Sequence, residues 1–398
     1  MKRKTLSLLF ALVLALGYLL MPVPVQAAAI ASTGAGGNWS ATATWAGGVV
    51  PGAADTVTIT TGSPVTVDVA DAACSTLLIG TGNGNVALTF NNGSVLTVSS
   101  TLTIGSNSNK KGDINMASGG TLRLGAGVTV DGAGIWTPGT GTVAYNAAGA
   151  QTVGTTFFTA YNNLTLSDSG VKTTTGVTVN GVLSMEGTAT ASVAPTYGAS
   201  ATLQYNTATA RTAGVEWITP FAATGGVIIA STGAITANAA KVFNANVPLT
   251  INSGATLAMS TYLLTLNGNL VNNGGTTSGS GGITIAGTAT QSIGAFTNTG
   301  TVTMTKTGGT ATLTGNLNGG ALTIDGTGGT LNLGSGLTHT VTNVTLTNGT
   351  LNGGSSTLNV SGTWSGTTGF TAGTGTVKYN GSAQAIAAVT YNNLTINQ

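Results

Sequence analysis

The sequence predicts an all-β protein: a parallel β-helix, or β-solenoid, with an N-terminal cap. Three observations lead to this prediction. Short alternating segments recur at a nearly constant interval, Gly and Thr dominate the composition, and one long unit is written twice. A repeat interval of about 20 residues is typical of a solenoid, in which each coil pairs with the next.

The recurring segments alternate apolar and polar residues. In the C-terminal half they begin at Leu264, Ile283, Val302, Leu322 and Val344, and then at Leu358, Val377 and Leu394. Alternation predicts strands with one buried face, and the Gly, Asn and Ser clusters between them predict turns. A coil of this length is too short for a strand plus a helix. We therefore expect parallel strands stacked about 4.8 Å apart, with Leu, Ile and Val inward.

The composition agrees with this architecture. Of 398 residues, 62 are Gly and 76 are Thr, while 41% are hydrophobic and only 5% are charged. Thr and Val favour pleated surfaces, and Gly and Asn favour turns. The hydrophobic content excludes ordinary disorder. Roughly 370 residues after the signal peptide predict on the order of 18 coils and a rod of about 85 Å.

The N-terminal segment is predicted to be a secretory signal peptide. Three basic residues precede an apolar run from Leu6 to Met21, and PVPVQAAA offers a cleavage site after Ala27. The alternative is a membrane anchor, for which the run is short because a span needs about twenty residues. We expect a secreted protein, extracellular or at the cell surface, with no membrane span after signal removal.

Charge and cysteine content restrict the partners. The signal peptide carries three of the eleven basic residues and none of the nine acidic ones, so the mature chain has a net charge of −1. No basic patch remains to bind nucleic acid; the pair Lys110 and Lys111 is expected at a solvated loop tip. Cys74 is the only cysteine. It is expected to be a small buried apolar residue, with an intermolecular disulfide as the alternative.

The duplicated unit reads G-T-V-x-Y-N, a polar insert containing Gln, then Y-N-N-L-T. It occupies residues 142–166 and 376–396, and a degraded copy begins at Ala201. We expect its tyrosines to pack at corners of the coil while the Asn residues satisfy turn backbone. These tyrosines are Tyr145, Tyr161, Tyr379 and Tyr391.

The unit is interpreted as the end of each of two similar blocks. The predicted organisation is a signal peptide (1–27), an N-terminal cap with the first strand (28–62), a first solenoid block (63–170) and a second block (171–398). A solenoid needs a cap over its first coil. Trp39 and Trp45 are assigned to that cap, with a sugar-binding pair of rings as the alternative.

Several stretches resemble the repeats of large bacterial secreted β-helix proteins, similar to filamentous-haemagglutinin-like adhesins and uncharacterised surface or fibre proteins. They are GTGTVKYNGSAQAIAAVTYNNLTI, TATQSIGAFTNTGTVTMTK and GGTLNLGSGLTHTVTNVTLTNGTLNGGSSTLNVSG, with GGNWSATATWAGGVVPGAADTVTI at the start. The resemblance implies a role in adhesion, matrix or fibre. It supplies no catalytic residues.

Catalytic chemistry is not expected. Polysaccharide cleavage on a β-helix needs paired carboxylates or carboxylates that hold Ca²⁺. Asp68 and Asp71 lie near the cap. Asp113, Asp131 and Asp168 would have to align on one face, and solvated turns are the simpler interpretation. His339, the only histidine, has no evident partner for acid–base work. We predict no catalytic residue, no metal site and no cofactor.

Two functions are therefore expected from the sequence. The first is a non-enzymatic structural protein, an adhesin-like or self-assembling fibre subunit. Its partners are copies of itself stacked end to end or contacts on the cell surface or matrix. The alternative is a carbohydrate-binding or polysaccharide-cleaving β-helix, with glycans as partners. The apolar final strand LTINQ is expected to belong to a longer array or to be covered by the next subunit.

Overall fold

The structure is a computed structural model that describes residues 27–60, 62–82 and 84–397. It confirms the predicted all-β class: parallel coils stack into a β-solenoid of about 16 turns. The only helical element in this part of the chain is a single 3-10 turn, Thr42–Thr44. The predicted signal peptide, apart from Ala27, lies outside the described residues.

One sheet, which we call the main sheet, runs along most of the rod. Each strand pairs in parallel with the strand one coil earlier and the strand one coil later. The sheet crosses residue 170 without interruption. Its fifteen strands are Ala72–Cys74, Val95–Val98, Thr121–Leu124, Thr142–Tyr145, Asn163–Leu166, Val182–Met185, Thr202–Tyr205, Gly226–Ile229, Leu249–Ile251, Leu270–Asn272, Gln291–Ile293, Thr310–Leu313, Leu322–Asn332, Val344–Asn352 and Phe370–Thr371.

The other sides of the first coils are formed by two five-stranded sheets. One consists of Ala29–Ala31, Thr56–Ile59, Thr76–Ile79, Leu102–Ile104 and Val128–Val130, and the other of Gly37–Asn38, Val65–Val67, Gly84–Phe90, Lys110–Asn115 and Trp136–Thr137. Two short sheets follow: Gln151–Thr152, Val171–Thr173 and Thr190–Ala191, and then Thr178–Val179 and Thr196–Tyr197.

Three further sheets complete the C-terminal coils. The first is Arg211–Thr212, Ala234–Thr236, Thr256–Ala258 and Thr276–Ser278; the second is Phe296–Asn298, Leu317–Gly319, Ser335–Val341, Ser355–Val360, Thr376–Tyr379 and Asn393–Ile396. The third, which we call the threonine sheet, is Lys241–Val242, Leu264–Leu266, Ile283–Ile285, Val302–Met304 and Trp364–Ser365, together with the first halves of Leu322–Asn332 and Val344–Asn352.

Columns of aliphatic side chains fill the interior. Leu164, Leu183 and Leu203 are partners in successive strands of the main sheet and have no exposed surface. Alternation along each strand turns the next residue outward. In the threonine sheet this produces an outward column of hydroxyl residues, one per coil: Thr265, Thr284, Thr303, Thr323, Thr345 and Ser365.

The strand predictions hold, with two differences. The segments that begin at Leu264, Ile283 and Val302 stack in register as expected, but those at Leu358, Val377 and Leu394 stack in a different sheet. The coils are also less uniform than expected. The interval from Leu96 to its partner Leu122 is 26 residues, whereas that from Leu164 to Leu183 is 19. The longer coils explain why there are about 16 turns and a rod of about 77 Å.

Trp39 and Trp45 pack against each other at the N-terminal end of the described rod. Their ring centroids are 4.9 Å apart at 73°, and the Trp45 Nε1–H donates to the Trp39 carbonyl at 2.8 Å. Each ring is only 1% exposed. Neither ring presents a face to a ligand, which favours core shielding over the alternative of a sugar-binding pair.

Candidate functional site

The duplicated unit forms the same tyrosine pair twice. Tyr145 and Tyr161 share a hydrogen bond between their hydroxyls at 2.8 Å, and their rings meet edge to face. The Gly154 N–H donates to the Tyr145 hydroxyl, while the Tyr161 hydroxyl donates to the Gly154 carbonyl. Burial raises the pKa of Tyr145 to about 12, so both phenols stay neutral. The pair therefore closes the coil with every hydroxyl satisfied.

The second copy repeats this geometry near the other end of the rod. The hydroxyls of Tyr379 and Tyr391 are 2.9 Å apart, with ring centroids 6.3 Å apart at 79°. Ala387 takes the place of Gly154: its N–H donates to Tyr379 and its carbonyl accepts from Tyr391. The expectation that these tyrosines pack at corners agrees with both copies, and the duplication is thus a structural unit.

The glutamine of each unit points inward and ties coils together. The Gln151 amide donates to the carbonyls of Leu124 and Ala126 on the preceding coil, at 2.7 and 2.8 Å. In the second copy, the Gln384 amide does the same to the carbonyls of Val360 and Gly362. Gln291, which lies outside these units, makes the same type of contact with the preceding coil. The sequence analysis assigned no role to these glutamines, because their acceptors lie more than twenty positions earlier in the chain.

In the degraded copy, an ion pair replaces the uncharged residues. Tyr205 occupies the position of Tyr145, but its hydroxyl donates to Glu216 Oε1 at 2.9 Å, and the Gly214 N–H donates to the same oxygen at 2.8 Å. Arg211 stands where the other copies have Gln and lies 3.9 Å from Glu216. The carboxylate takes the place of the second tyrosine, and the arginine compensates its charge. Both side chains are at least 95% buried.

A lysine on the next coil completes this buried charged cluster. Lys241 Nζ donates to the Trp217 carbonyl at 2.9 Å and to Asn238 Oδ1 at 2.8 Å, and lies 5.1 Å from the Trp217 ring centre. Burial lowers the pKa of Lys241 to about 8, although the Glu216 charge opposes this shift. Among the described residues Glu216 Oε2 has no hydrogen-bond partner. The cluster is enclosed by the coils, so its charged groups are not offered to a ligand.

The three aspartates considered for catalysis lie on different sheets. Asp113 belongs to the strand Lys110–Asn115 and accepts from the Ile135 N–H at 2.7 Å. Asp131 directly follows the strand Val128–Val130, and Asp168 follows a strand of the main sheet. Only Asp131 and Asp168 are exposed. The fold does not bring the three carboxylates to one face.

His339 and Asp68, which the sequence analysis also considered, form hydrogen bonds within the fold. His339 is fully buried; its Nδ1 accepts from the Leu317 N–H and its Nε2 donates to the Leu333 carbonyl. Burial lowers the pKa of His339, which keeps the ring neutral. Asp68 accepts two hydrogen bonds from Ser40 in the N-terminal segment, and Asp71 is exposed.

Cys74 lies in the interior, as expected. Cys74 is buried, and burial, aided by the Asp55 charge, raises the pKa of its thiol to about 12. This favours the interpretation of Cys74 as a small apolar residue.

Lys110 and Lys111 are not at a loop tip: they begin the strand Lys110–Asn115, directly after a turn. The loop prediction was wrong because the apolar alternation of that strand starts only at Gly112.

A groove on the outer face of the main sheet brings three charged side chains together. It has a volume of about 460 Å³ and is lined by Arg123, Asn146, Asp168 and Glu186, with Ala144 and threonine hydroxyls between them. We call it the Arg123–Glu186 groove. Arg123 and Ala144 are partners in adjacent strands, and Glu186 follows the strand two coils beyond Ala144. The groove therefore spans about 14 Å along the rod.

Most polar groups in the groove are unused by the protein. The Arg123 guanidinium forms no ion pair or hydrogen bond within the described residues. The Asn146 Oδ1 is buried and has no partner. Glu186 Oε1 accepts from Ser184 Oγ at 2.9 Å and Asn206 Nδ2 at 3.2 Å, and none of the described side chains donates to its other oxygen. The arrangement can hold a polar ligand.

The sequence analysis singled out only Asp168 from this groove. Arg123 carried a usable signal: in the strand TLRL it is a charged residue at an outward position, in a chain with very few charges. Glu186 follows its strand and carried no comparable signal. Their proximity depends on the register between coils of unequal length, which the sequence does not show.

The described residues offer neither a metal cluster nor a membrane-spanning helix. Within residues 27–60, 62–82 and 84–397, no three His, Cys, Asp or Glu side chains come together as a metal site. None of the helices in this part of the chain is long and apolar enough to span a bilayer.

No protein-family model, curated protein or solved structure matches this chain. The structure thus shows the β-solenoid fold, and the likeness to adhesin-like proteins stays a resemblance of sequence motifs.

Proposed function

We propose that the protein is a secreted structural protein that acts without catalysis, an adhesin-like or self-assembling fibre subunit of the cell surface or extracellular space. The observation that carries the proposal is the very low charge of the surface of the C-terminal coils. Between residues 243 and 397, only Asp325 and Lys378 place a charged group at the surface, because Lys306 is buried. The rest of that surface is mainly hydroxyl, amide and small apolar groups.

Such a surface supports contact with neutral partners or with further copies. Net charge keeps proteins apart, and a surface near neutrality promotes association. The coil geometry supports end-to-end assembly, because the ends of a solenoid present strand edges, which are templates for pairing. A head-to-tail contact of this kind does not close and builds a filament. Neither nucleic acid nor a membrane is proposed as a partner.

Electron microscopy of the purified secreted chain over a range of concentrations tests the proposal. Rods that lengthen into filaments as concentration rises support the fibre subunit. Rods that stay single but coat cells or extracellular matrix support the adhesin-like role. Single particles that neither assemble nor adhere overturn both.

The carbohydrate alternative retains one specific observation in its favour, the Arg123–Glu186 groove. A lining of hydroxyl, amide and carboxylate groups suits a polar ligand on an exposed face. The separation of Asp113, Asp131 and Asp168 removes the carboxylate set first considered for cleavage. Binding is therefore the form of this alternative that the geometry favours.

A further inference from the structure

We propose that the Arg123–Glu186 groove binds a neutral oligosaccharide whose chain lies along the rod axis. The inference deepens the adhesive part of the proposed function and rests on it. It names the ligand class and the residues that select it: Arg123, Asn146, Asp168 and Glu186.

The groove has the size and position of a ligand site. Its volume of about 460 Å³ falls within the range of roughly 300–1,000 Å³ that small-ligand sites occupy. Its floor is Ala144, an outward residue between the buried Val143 and Tyr145. The next outward partner along the sheet is Thr165. Small outward side chains on consecutive coils leave a trough parallel to the rod axis.

The hydrogen-bonding groups define the ligand. Acceptors predominate: the unpaired Asn146 Oδ1, the Asp168 carboxylate and the second oxygen of Glu186. A buried acceptor without a partner is unfavourable, so a ligand that donates to it gains affinity. Sugar hydroxyls donate several hydrogen bonds and also accept from Arg123 at the other end of the groove.

Charge and shape disfavour the other ligand classes. The groove lining holds two carboxylates and one arginine, which disfavours phosphate, sulfate and uronate polymers. Lys172 interacts with the Asp168 charge but is fully buried, and its ammonium is bonded to the carbonyls of Ala147 and Gly149, so it is not offered to a ligand. No aromatic side chain lines the groove, so a mainly apolar ligand gains little burial. The length of about 14 Å along three coil steps suits an extended chain better than a single compact molecule.

Calorimetry with the full secreted chain tests the inference. The probes are cellohexaose, mannohexaose and chitohexaose, with hexagalacturonate as the acidic comparison. At least one neutral probe is expected to bind. Ala144→Tyr fills the groove from an outward position and is expected to weaken binding at least about tenfold, as is Arg123→Met, which removes a charged donor. The matched control is Thr250→Tyr, an outward position of the same sheet beyond the groove.

The outcomes separate this site from the proposed function. Absence of binding by all three neutral probes, preference for hexagalacturonate, or an equal loss in Thr250→Tyr overturns the groove assignment. Filaments or adherent rods that form without glycan binding leave the structural role intact and overturn only the groove. Release of reducing ends from a bound probe supports the site but contradicts a non-catalytic role.

Discussion

Replacing Gln291 with leucine should open the solenoid locally, because this side chain joins three consecutive coils. Its amide donates to the carbonyls of Leu266, at 3.1 Å, and Gly268, at 2.9 Å, on one coil. Its Oε1 accepts from Lys306 Nζ on the next, at 2.7 Å. Leucine keeps the volume and removes all three hydrogen bonds.

The expected cost follows from the types of bond. A neutral hydrogen bond contributes about 0.5–1.5 kcal/mol and one to a charged group about 1.5–3 kcal/mol, so the loss is about 2.5–6 kcal/mol. Lys306 retains its contact with the Ala289 carbonyl at 2.7 Å. In the double variant Gln291→Leu/Lys306→Met, no buried ammonium loses a partner. Its cost should be smaller than the sum of the two single losses by about 1.5–3 kcal/mol.

Hydrogen exchange with coil-level resolution is the suitable assay, because coils of a solenoid contribute separately to stability. The amides of Leu264–Leu266 and Gln291–Ile293 should lose protection, while those of Thr56–Ile59 should not. Gln204→Leu is the matched control: the same change at an outward position of the main sheet, expected within about 0.5 kcal/mol of wild type. Equal effects of the two substitutions would refute the assigned role of Gln291.

Three further predictions concern the interior. Tyr161→Phe should leave the Tyr145 O–H without its acceptor and the Gly154 carbonyl without its donor, although Tyr145 still accepts from the Gly154 N–H, and should cost about 1–3 kcal/mol by hydrogen exchange; the exposed Tyr262→Phe is the control, and equal losses would contradict it. Glu216→Gln should strand the buried Arg211 and cost about 3–5 kcal/mol in urea unfolding, more than the double variant Arg211→Gln/Glu216→Gln; a double variant as unstable as the single one would argue against the ion pair. Lys241 has its pKa lowered from 10.5 to about 8, so the unfolded chain binds more protons between these values. The neutral Lys241 side chain therefore contributes to the free energy of unfolding above pH 10.5, and this contribution is lost as the pH falls through 8. The melting temperature of wild type should therefore rise with pH across this window relative to Lys241→Met, whereas parallel profiles would count against the shift.

The fold was predictable because its signals are local. The alternation at Leu264, Ile283 and Val302 marks strands within a few residues, and the interval between them marks the coil. Which sheet each strand joins was not predictable. The series that begins at Leu358 reads like the earlier one but stacks on another side, since corner lengths between strands vary from coil to coil.

The site was less predictable because it depends on contacts between coils. A glutamine in a polar insert looks like a turn residue until its acceptors, more than twenty residues earlier, are known. The ion pair of Arg211 and Glu216 was missed for the same reason. Comparison of the three unit copies held a clue: where Gln becomes Arg, the second Tyr gives way to Glu. Asp168 was singled out, but its neighbours in the groove were not.

The central claim is that successive coils stack in register along one axis, and spin-label distances test it most directly. On the outward column of the main sheet that contains Thr250 also lie, in order of increasing distance from it, Thr165, Arg123 and Thr97. Labels paired with Thr250 from these positions are four, six and seven coils away. The account predicts distances of about 19, 29 and 34 Å, growing by about 4.8 Å per coil. Distances that do not increase with the number of coils would contradict it.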